Sequence, residues 1–277
     1  MDLIWGFETT SKDERQILMI DVLISLPMWL GSILAMGFTT ATGFVVYLAS
    51  YKLIAKYKRG DLKEPTNNLF RVVGMLVSLM LALAFSEVIV QHRTIRSAVL
   101  HETAAISDIS DVLKLFGNEV TREHRTILID YAQAVIDDDW PALSKDRLSP
   151  RVGALKTQLA EGVLKLKPAT SNQEKLLSHI MADIDALSDY RVVRLGSALV
   201  KPPVFVYVII FGFLVTMACF GDYQPQPPLV VLAFLYTIFV ALVLYLVLAM
   251  SDPFQGNFGV GPVPFEHLVE TLQSEIR

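Results

Sequence analysis

The chain has 277 residues, of which 53% are hydrophobic and 19% are charged, and its formal net charge at pH 7 is −4. The excess of acidic over basic residues argues against a nucleic-acid partner, which would require a basic face. The single cysteine, Cys219, excludes a disulfide within the chain, so cysteine usage does not indicate a compartment.

The apolar residues are concentrated in four blocks, each long enough to be considered as a transmembrane helix. Residues 22–49 carry no charge, and residues 72–90 carry a single one, Glu87. Residues 202–221 and 223–250 carry none. Because a membrane-spanning helix needs roughly 20 apolar residues, we predict four transmembrane helices, at 21–49, 70–91, 202–221 and 227–250.

The first apolar block is expected to remain in the mature protein. It is longer than the apolar region of a secretory signal, and its N-terminal flank, 12–15, mixes basic and acidic residues. We therefore predict an N-terminal segment at 1–20 followed by a first pair of transmembrane helices within 21–91.

The second transmembrane helix carries small residues at a spacing of four, at Gly74, Ser78 and Ala82. Such spacing allows helices to pack closely. The alternative is that this face, continued by Phe85 and Ile89, lines a pore, since apolar rings can gate a channel by dewetting. Glu87 lies near the end of the run, where its carboxylate can reach the membrane interface. Both interpretations of the small-residue face remain open.

Residues 92–200 form a polar insert between the second and third transmembrane helices. Apolar residues recur there at helical spacing, most clearly at Leu176, Leu177, Ile180, Met181, Ile184 and Leu187. The stretches "FGNE", "DDDWPALSKDRLSP" and "KPATSNQ" separate the predicted helices. We interpret the acids of "DDDW" as a solvated helix end rather than as a metal site. The fold class is therefore an all-α membrane protein with a helical extramembrane domain at 92–200.

The last two apolar blocks form a tight hairpin at 201–250, because their connection "GDYQPQPP" is rich in turn residues. Lys and Arg do not orient the chain: five lie in the short loop at 50–69, and seven lie close to the membrane on the opposite side. The side that the insert faces is left open.

Catalytic motifs are missing from the sequence. The five histidines are scattered, "HETAA" lacks the second histidine of a zinc-protease pair, and there is no glycine-rich phosphate loop. Cys219 lies in an apolar block and not in the polar setting of a nucleophile. We expect neither an enzyme nor a bound metal or cofactor.

Several segments, in order, resemble the bacterial bestrophin-like family. They are "GMLVSLMLALAF", "HETAAISDI", "YAQAVIDDDWPAL", "RVVRLGSAL" and the exit "SDPFQGNFGVGPVPFE", and together they span about residues 70–270. The wider family is similar to the bestrophin anion channels. The resemblance implies a multi-pass protein of the bacterial inner membrane that assembles as a homo-oligomer, with a pentamer expected, and conducts a small inorganic anion.

The resemblance also implies roles for individual residues. The pore would be lined by the second transmembrane helix at Gly74, Ser78, Ala82, Phe85 and Ile89, with mouth charges that concentrate anions at Arg93, Arg96, Arg191 and Arg194. The acidic cluster that binds calcium in some bestrophins is missing after the last helix, so no calcium site is expected. The alternative function is a membrane sensor or scaffold whose insert binds a partner or ligand.

The exit from the fourth helix, within the tail at 251–277, is predicted to form a clasp from Asp252, Pro253, Phe254 and Gly256. Proline ends the helix, glycines allow tight turns, and Phe254, Phe258 and Phe265 would insert into the helical domain or a neighbouring subunit. The alternative is an ordinary packed exit loop.

Overall fold

In a computed structural model of the protein, the described residues form eight α-helices and one π-helical turn. The helices coincide with apolar and amphipathic patterns in the sequence. The described residues are 28–56, 63–144, 147–198, 205–254 and 258–276, and none of them forms a strand. The predicted N-terminal segment at 1–20 and Gly256 lie outside these ranges.

The helices follow the predicted order. They are α1 (Met28–Lys56), α2 (Lys63–Ala134), the π-helical turn (Val135–Asp139), α3 (Trp140–Leu143), α4 (Pro150–Leu164), α5 (Ser171–Ala198), α6 (Phe205–Phe220), α7 (Pro227–Ser251) and α8 (Val263–Ile276). They divide into an apolar unit, up to Val90 and from residue 201 to Phe258, and a polar unit, from Gln91 to Val200 and from Gly259 onwards.

The apolar unit contains α1, the first part of α2, α6 and α7. Trp29–Lys56, Glu64–Gly117 and Pro227–Ser251 are long and apolar enough to cross a membrane, whereas α6 is apolar but has 16 residues. Large apolar side chains are exposed along these helices, including Phe38 at 74% and Met75 at 75%. An apolar surface of this kind is suited to lipid, because helices satisfy their own backbone hydrogen bonds there.

The interior of the apolar unit is built on close helix contacts. One cluster joins α2, α6 and α7, through Val77, Leu81, Ala84, Val88, Val206, Ile209 and Val247. A Cβ on Gly212 would overlap the Val77 side chain, so α6 approaches α2 closely at this glycine. A Cβ on Gly74 would have no described atom within 4 Å. Within one protomer, close packing therefore depends on α6 and not on the predicted small-residue spacing of α2.

The polar unit contains the rest of α2, the π-helical turn and helices α3, α4, α5 and α8. The predicted break at "FGNE" is a kink at Gly117, whose φ of 154° favours glycine. The Thr121 hydroxyl lies 2.7 Å from the Leu113 carbonyl oxygen and 2.9 Å from that of Gly117, so its single proton is shared between them. These bonds satisfy backbone groups that the kink releases, and Tyr131 beyond it reaches back to Glu102.

Candidate functional site

The interior of the polar unit contains a charged group of four side chains, which we call the buried charge cluster: Glu102, Tyr131, Asp139 and Arg194. Glu102 lies on α2 before the kink, Tyr131 on α2 after it, Asp139 ends the π-helical turn, and Arg194 lies on α5. All four side chains are fully buried, with 0% of their surface exposed. Four separate segments of the chain thus meet at one point.

Arg194 is the centre of the cluster. Its Nε donates to Glu102 Oε2 at 2.7 Å, and its Nη2 donates to Glu102 Oε1 at 3.2 Å and to Asp139 Oδ2 at 3.0 Å. A two-point contact of this kind between a guanidinium and a carboxylate is among the stronger hydrogen-bonding arrangements in proteins. It fixes the direction of the Arg194 side chain as well as its charge.

The two carboxylates have further donors. Tyr131 Oη donates to Glu102 Oε1 at 2.8 Å, and the Ser149 backbone N–H donates to Asp139 Oδ1 at 3.2 Å. Arg191 Nη2 lies 3.8 Å from Asp139 Oδ2. Two carboxylates and two guanidinium groups therefore balance, which a charged group in a protein interior requires.

Aromatic rings enclose the guanidinium. Arg194 Cζ lies 5.4 Å from the centre of the Trp140 ring and 5.9 Å from that of Phe265, within the range of cation–π attraction. The two rings meet edge to face, with centroids 5.9 Å apart, and Trp140 Nε1 donates to the Val260 carbonyl at 3.0 Å. The cluster thereby ties residues 260–265 to the helical domain.

The pKa shifts indicate which protonation states the cluster holds. Burial by itself lowers the pKa of Arg194, but the nearby charge and hydrogen bonds of Glu102 outweigh it and raise that pKa above its usual range. Burial, followed by the charge of Glu102, raises the pKa of the Tyr131 phenol well above its ordinary value. At neutral pH Arg194 is charged and Tyr131 is a neutral donor, so the cluster acts as a stable ionic lock and not as an acid–base pair.

The π-helical turn explains how Asp139 and Trp140 both reach the interior. The Trp140 backbone N–H donates a hydrogen bond to the Val135 carbonyl, five residues earlier in the chain. This turn therefore contains one residue more than an α-helical turn. Our interpretation of "DDDW" as a solvated helix end was wrong for its last acid, because Asp139 is fully buried while Asp137 is exposed. Pro141, the second residue of α3, begins the next helix without needing a backbone donor.

The predicted pore-lining residues all lie on the first part of α2. Ser78 and Ala82 are exposed, and Gly74, Phe85 and Ile89 are half-buried. Ser78 Oγ donates to the Gly74 carbonyl at 2.9 Å, so the hydroxyl is satisfied within the helix and the face stays largely apolar.

The four predicted mouth charges are placed differently from one another. Arg93 and Arg96 are exposed on α2, and Arg191 is half-buried beside Asp139. Arg194 is fully buried and bound to carboxylates, so its charge is in the interior of the polar unit and does not face solvent. We therefore assign Arg194 to the buried charge cluster.

The predicted clasp residues that the structure describes close the end of α7. Asp252 Oδ1 accepts the Phe254 N–H at 3.0 Å, and Pro253 and Phe254 are buried. Further along the exit, Phe265 is fully buried against Trp140 in the polar unit, where the sequence predicted an aromatic anchor into the helical domain.

Sequence reasoning did not assign a role to Glu102, Tyr131, Asp139 or Trp140, although each lies in a segment that carried the family resemblance. The signal that points to Glu102 is its position on the apolar face of α2, at helical spacing from Val99 and Ile106. A charged residue at such a position requires a partner of opposite charge. Among the described residues, no group of three or more His, Cys, Asp or Glu is arranged to hold a metal ion.

Comparison with known proteins agrees with this architecture. Residues 37–265 match the family model of the Bestrophin-like domain. A mutant crystal structure of a bacterial bestrophin homolog from Klebsiella pneumoniae has a TM-score of 0.57 at 13% identity, covering 88% of this chain and all of that one. A second structure of that homolog, phased from zinc, has a TM-score of 0.53 at 10% identity and covers 88% and 96%. The curated proteins gave no sequence match.

Proposed function

Because the chain belongs to the bestrophin-like family, we propose that it forms a homo-oligomeric membrane channel that conducts small anions through a pore lined by α2. The proposal includes four membrane crossings, with α6 as the third, in a bacterial inner membrane, and five subunits around the pore. Family membership supports the channel class, and the faces of α2 support the choice of this helix.

The observation that carries the proposal is that α2 packs one face against α6 and α7, while Ser78 and Ala82 on another face are exposed. Val77, Leu81, Ala84 and Val88 are buried against α6 and α7. By helical geometry, the stripe formed by Gly74, Ser78, Ala82, Phe85 and Ile89 lies about 100° around the same helix. Small side chains there would let copies of α2 approach a common axis while leaving an apolar passage that can gate by dewetting.

Charge supports anions as the conducted species. Arg93 and Arg96 are exposed just after the apolar run ends at Val90. Positive groups at the mouth of a low-dielectric passage raise the local concentration of anions and repel cations. Arg194 is fully buried and does not contribute to the charge at the proposed pore mouth.

Flux through reconstituted protein tests the proposal. Purified full-length protein in liposomes should release chloride down its gradient, whereas liposomes without protein should not. A variant with Ala82→Trp, which places a large ring on the stripe, should block that release while keeping its oligomeric size in detergent. Failure to release chloride across a range of pH, calcium and voltage would contradict the proposal. A retained partner protein would then favour the sensor or scaffold function instead.

A further inference from the structure

A second polar feature of the polar unit lies apart from the buried charge cluster, on the surface between α2 and α5. It is a cavity of about 400 Å³, which we call the donor pocket. Its lining consists of Arg93, Thr94, Ser97, Ala98, His101, Tyr190 and Val193. Arg93, Ser97 and His101 follow one another at a spacing of four, so they share one face of α2.

Five of the seven lining residues carry a hydrogen-bond donor. Arg93 supplies a guanidinium, His101 an imidazole, and Thr94, Ser97 and Tyr190 supply hydroxyls, while none of the described lining residues is acidic. The rings of His101 and Tyr190 stack with centroids 5.0 Å apart and an interplanar angle of 20°. This stacking holds two of the donors in fixed positions on opposite helices before any ligand arrives.

This combination matches the chemistry of an oxyanion. A guanidinium binds phosphate oxygens through a planar pair of N–H groups, and neighbouring hydroxyls can complete the shell. The cavity is larger than an inorganic oxyanion, so it also leaves room for the organic group that carries one. We propose that the donor pocket binds the phosphate group of a ligand, with Arg93 as its charged contact and His101 and the hydroxyls as its further donors.

Two sources could supply that phosphate, the headgroup of an anionic phospholipid or a free phosphate compound. Arg93 follows the last residue of the apolar run, Val90, by only three positions, which favours the headgroup. Neither source requires that the protein conduct ions. Arg93 also belongs to the proposed pore mouth, where a bound phosphate would neutralise its charge. Binding is measured separately from anion flux, so the inference goes beyond the channel proposal and can fail or succeed without it.

Binding to the full-length protein in neutral detergent tests the pocket. Inorganic phosphate would be titrated by calorimetry, and phosphatidylglycerol and phosphatidylcholine would be compared by native mass spectrometry. Arg93→Gln and His101→Gln should each weaken binding of the phosphate probe, Arg93→Gln by about tenfold or more. Arg96→Gln is the matched control for a nearby charge, since Arg96 is exposed on the same helix but does not line the pocket.

The result identifies the source. Retention of phosphatidylglycerol that Arg93→Gln abolishes and Arg96→Gln preserves supports a lipid headgroup. Phosphate binding with the same dependence on Arg93, without preference for phosphatidylglycerol, supports a free phosphate compound. Equal losses in the two arginine variants would show a general effect of surface charge and would overturn the proposal, as would the lack of binding of either probe to the wild-type protein.

Discussion

Arg194 carries a positive charge with no exposed surface, and Glu102 and Asp139 share it. Its replacement by methionine would keep much of the side-chain volume but leave two buried carboxylates without their main partner. Breaking a buried ion pair from one side typically costs about 3–5 kcal/mol. We expect Arg194→Met to lower the melting temperature in detergent strongly, or to prevent recovery of folded protein.

Two further variants separate lost charge pairing from lost packing. Arg122→Met removes an exposed arginine of the same unit and should leave the melting temperature nearly unchanged. Adding Glu102→Gln to Arg194→Met removes one of the stranded charges and should recover part of the loss. A wild-type melting temperature in Arg194→Met would contradict the assignment of the cluster as an ionic lock.

Tyr131 gives the cluster a dependence on alkaline pH. Tyr131→Phe removes the donor to Glu102 and should cost about 1 kcal/mol at neutral pH. Burial raises the folded-state pKa of Tyr131, so its contribution in the wild type is fully present below about pH 10, the pKa of an exposed tyrosine. That contribution falls as the pH rises from there towards the folded-state pKa, by up to about 1.4 kcal/mol per pH unit.

The phenylalanine variant has no phenol at this position and does not share that loss. Melting temperatures at pH 8–11 should therefore show the gap between wild type and Tyr131→Phe narrowing above about pH 10. If the melting temperatures of the wild type and Tyr131→Phe changed in parallel with pH, the phenol would not titrate as its burial requires.

The sequence indicates where a buried charge lies but does not indicate which residue pairs with it. Glu102 lies on an apolar helix face, and such a position alone predicts a buried, paired acid. Its partner Arg194 is 92 residues away, and Asp139 is 55 residues from Arg194. Pairing over such separations depends on how the helices fold against each other, which helical periodicity does not specify.

At the scale of helices, Gly221, the residue after α6, lies directly against α1. A Cβ on Gly221 would lie 2.6 Å from Ser50 Cβ and 2.8 Å from the Tyr51 backbone nitrogen. Since the backbone of α1 cannot rotate out of the way, Gly221→Ala must separate the two segments, at a cost of about 1–3 kcal/mol. Thermal melting of the purified variant should show this loss.

Gly37 provides the matched control for Gly221, because a Cβ there would have no described atom within 4 Å. Gly37→Ala lies inside α1 and should leave stability unchanged or raise it by up to about 1 kcal/mol, since alanine favours helix. Equal effects of the two substitutions would show that the contact at Gly221 does not limit the packing of α1.

Helix positions followed from the sequence more closely than helix ends. The fourth predicted span, 227–250, agrees with Pro227–Ser251, because proline marks its first turn and apolar residues fill its length. The second, predicted at 70–91, is part of a helix that begins at Lys63 and continues past Val90 to the kink at Gly117. Hydropathy marks where a helix is apolar, whereas the helix itself continues for as long as each added residue gains a backbone hydrogen bond.

At the scale of the whole molecule, the two units are stabilised by different means. The apolar unit exposes large apolar side chains and packs through close glycine contacts, as helices in lipid do. The polar unit buries amphipathic faces and the buried charge cluster, whose Asp139 also lies 3.8 Å from the half-buried Arg191. The distribution of apolar and charged residues along the chain predicts apolar spans and a polar insert. The subunit number cannot be predicted in the same way, because it depends on contacts between copies of the chain, which the residue pattern of a single chain does not specify.

The channel proposal makes its sharpest prediction for the stripe on α2. In a background with Cys219→Ala, cysteine would replace Ser78 or Ala82 on the stripe, or Leu76 as a control. Leu76 is 52% exposed and lies about 120–160° around the helix from the stripe. A negatively charged thiol reagent should then inhibit anion flux through the Ser78→Cys and Ala82→Cys proteins and spare Leu76→Cys.

The expected size of the inhibition follows from electrostatics. Two like charges about 8 Å apart at an effective dielectric of about 20 repel each other by about 2 kcal/mol. A barrier of that height slows passage of an anion by more than about tenfold. Because mass spectrometry can confirm that all three cysteines react, equal flux after complete labelling of Ser78→Cys would place the pore on another face of α2 or on another helix. Inhibition through Leu76→Cys alone would identify that face as the one around the axis.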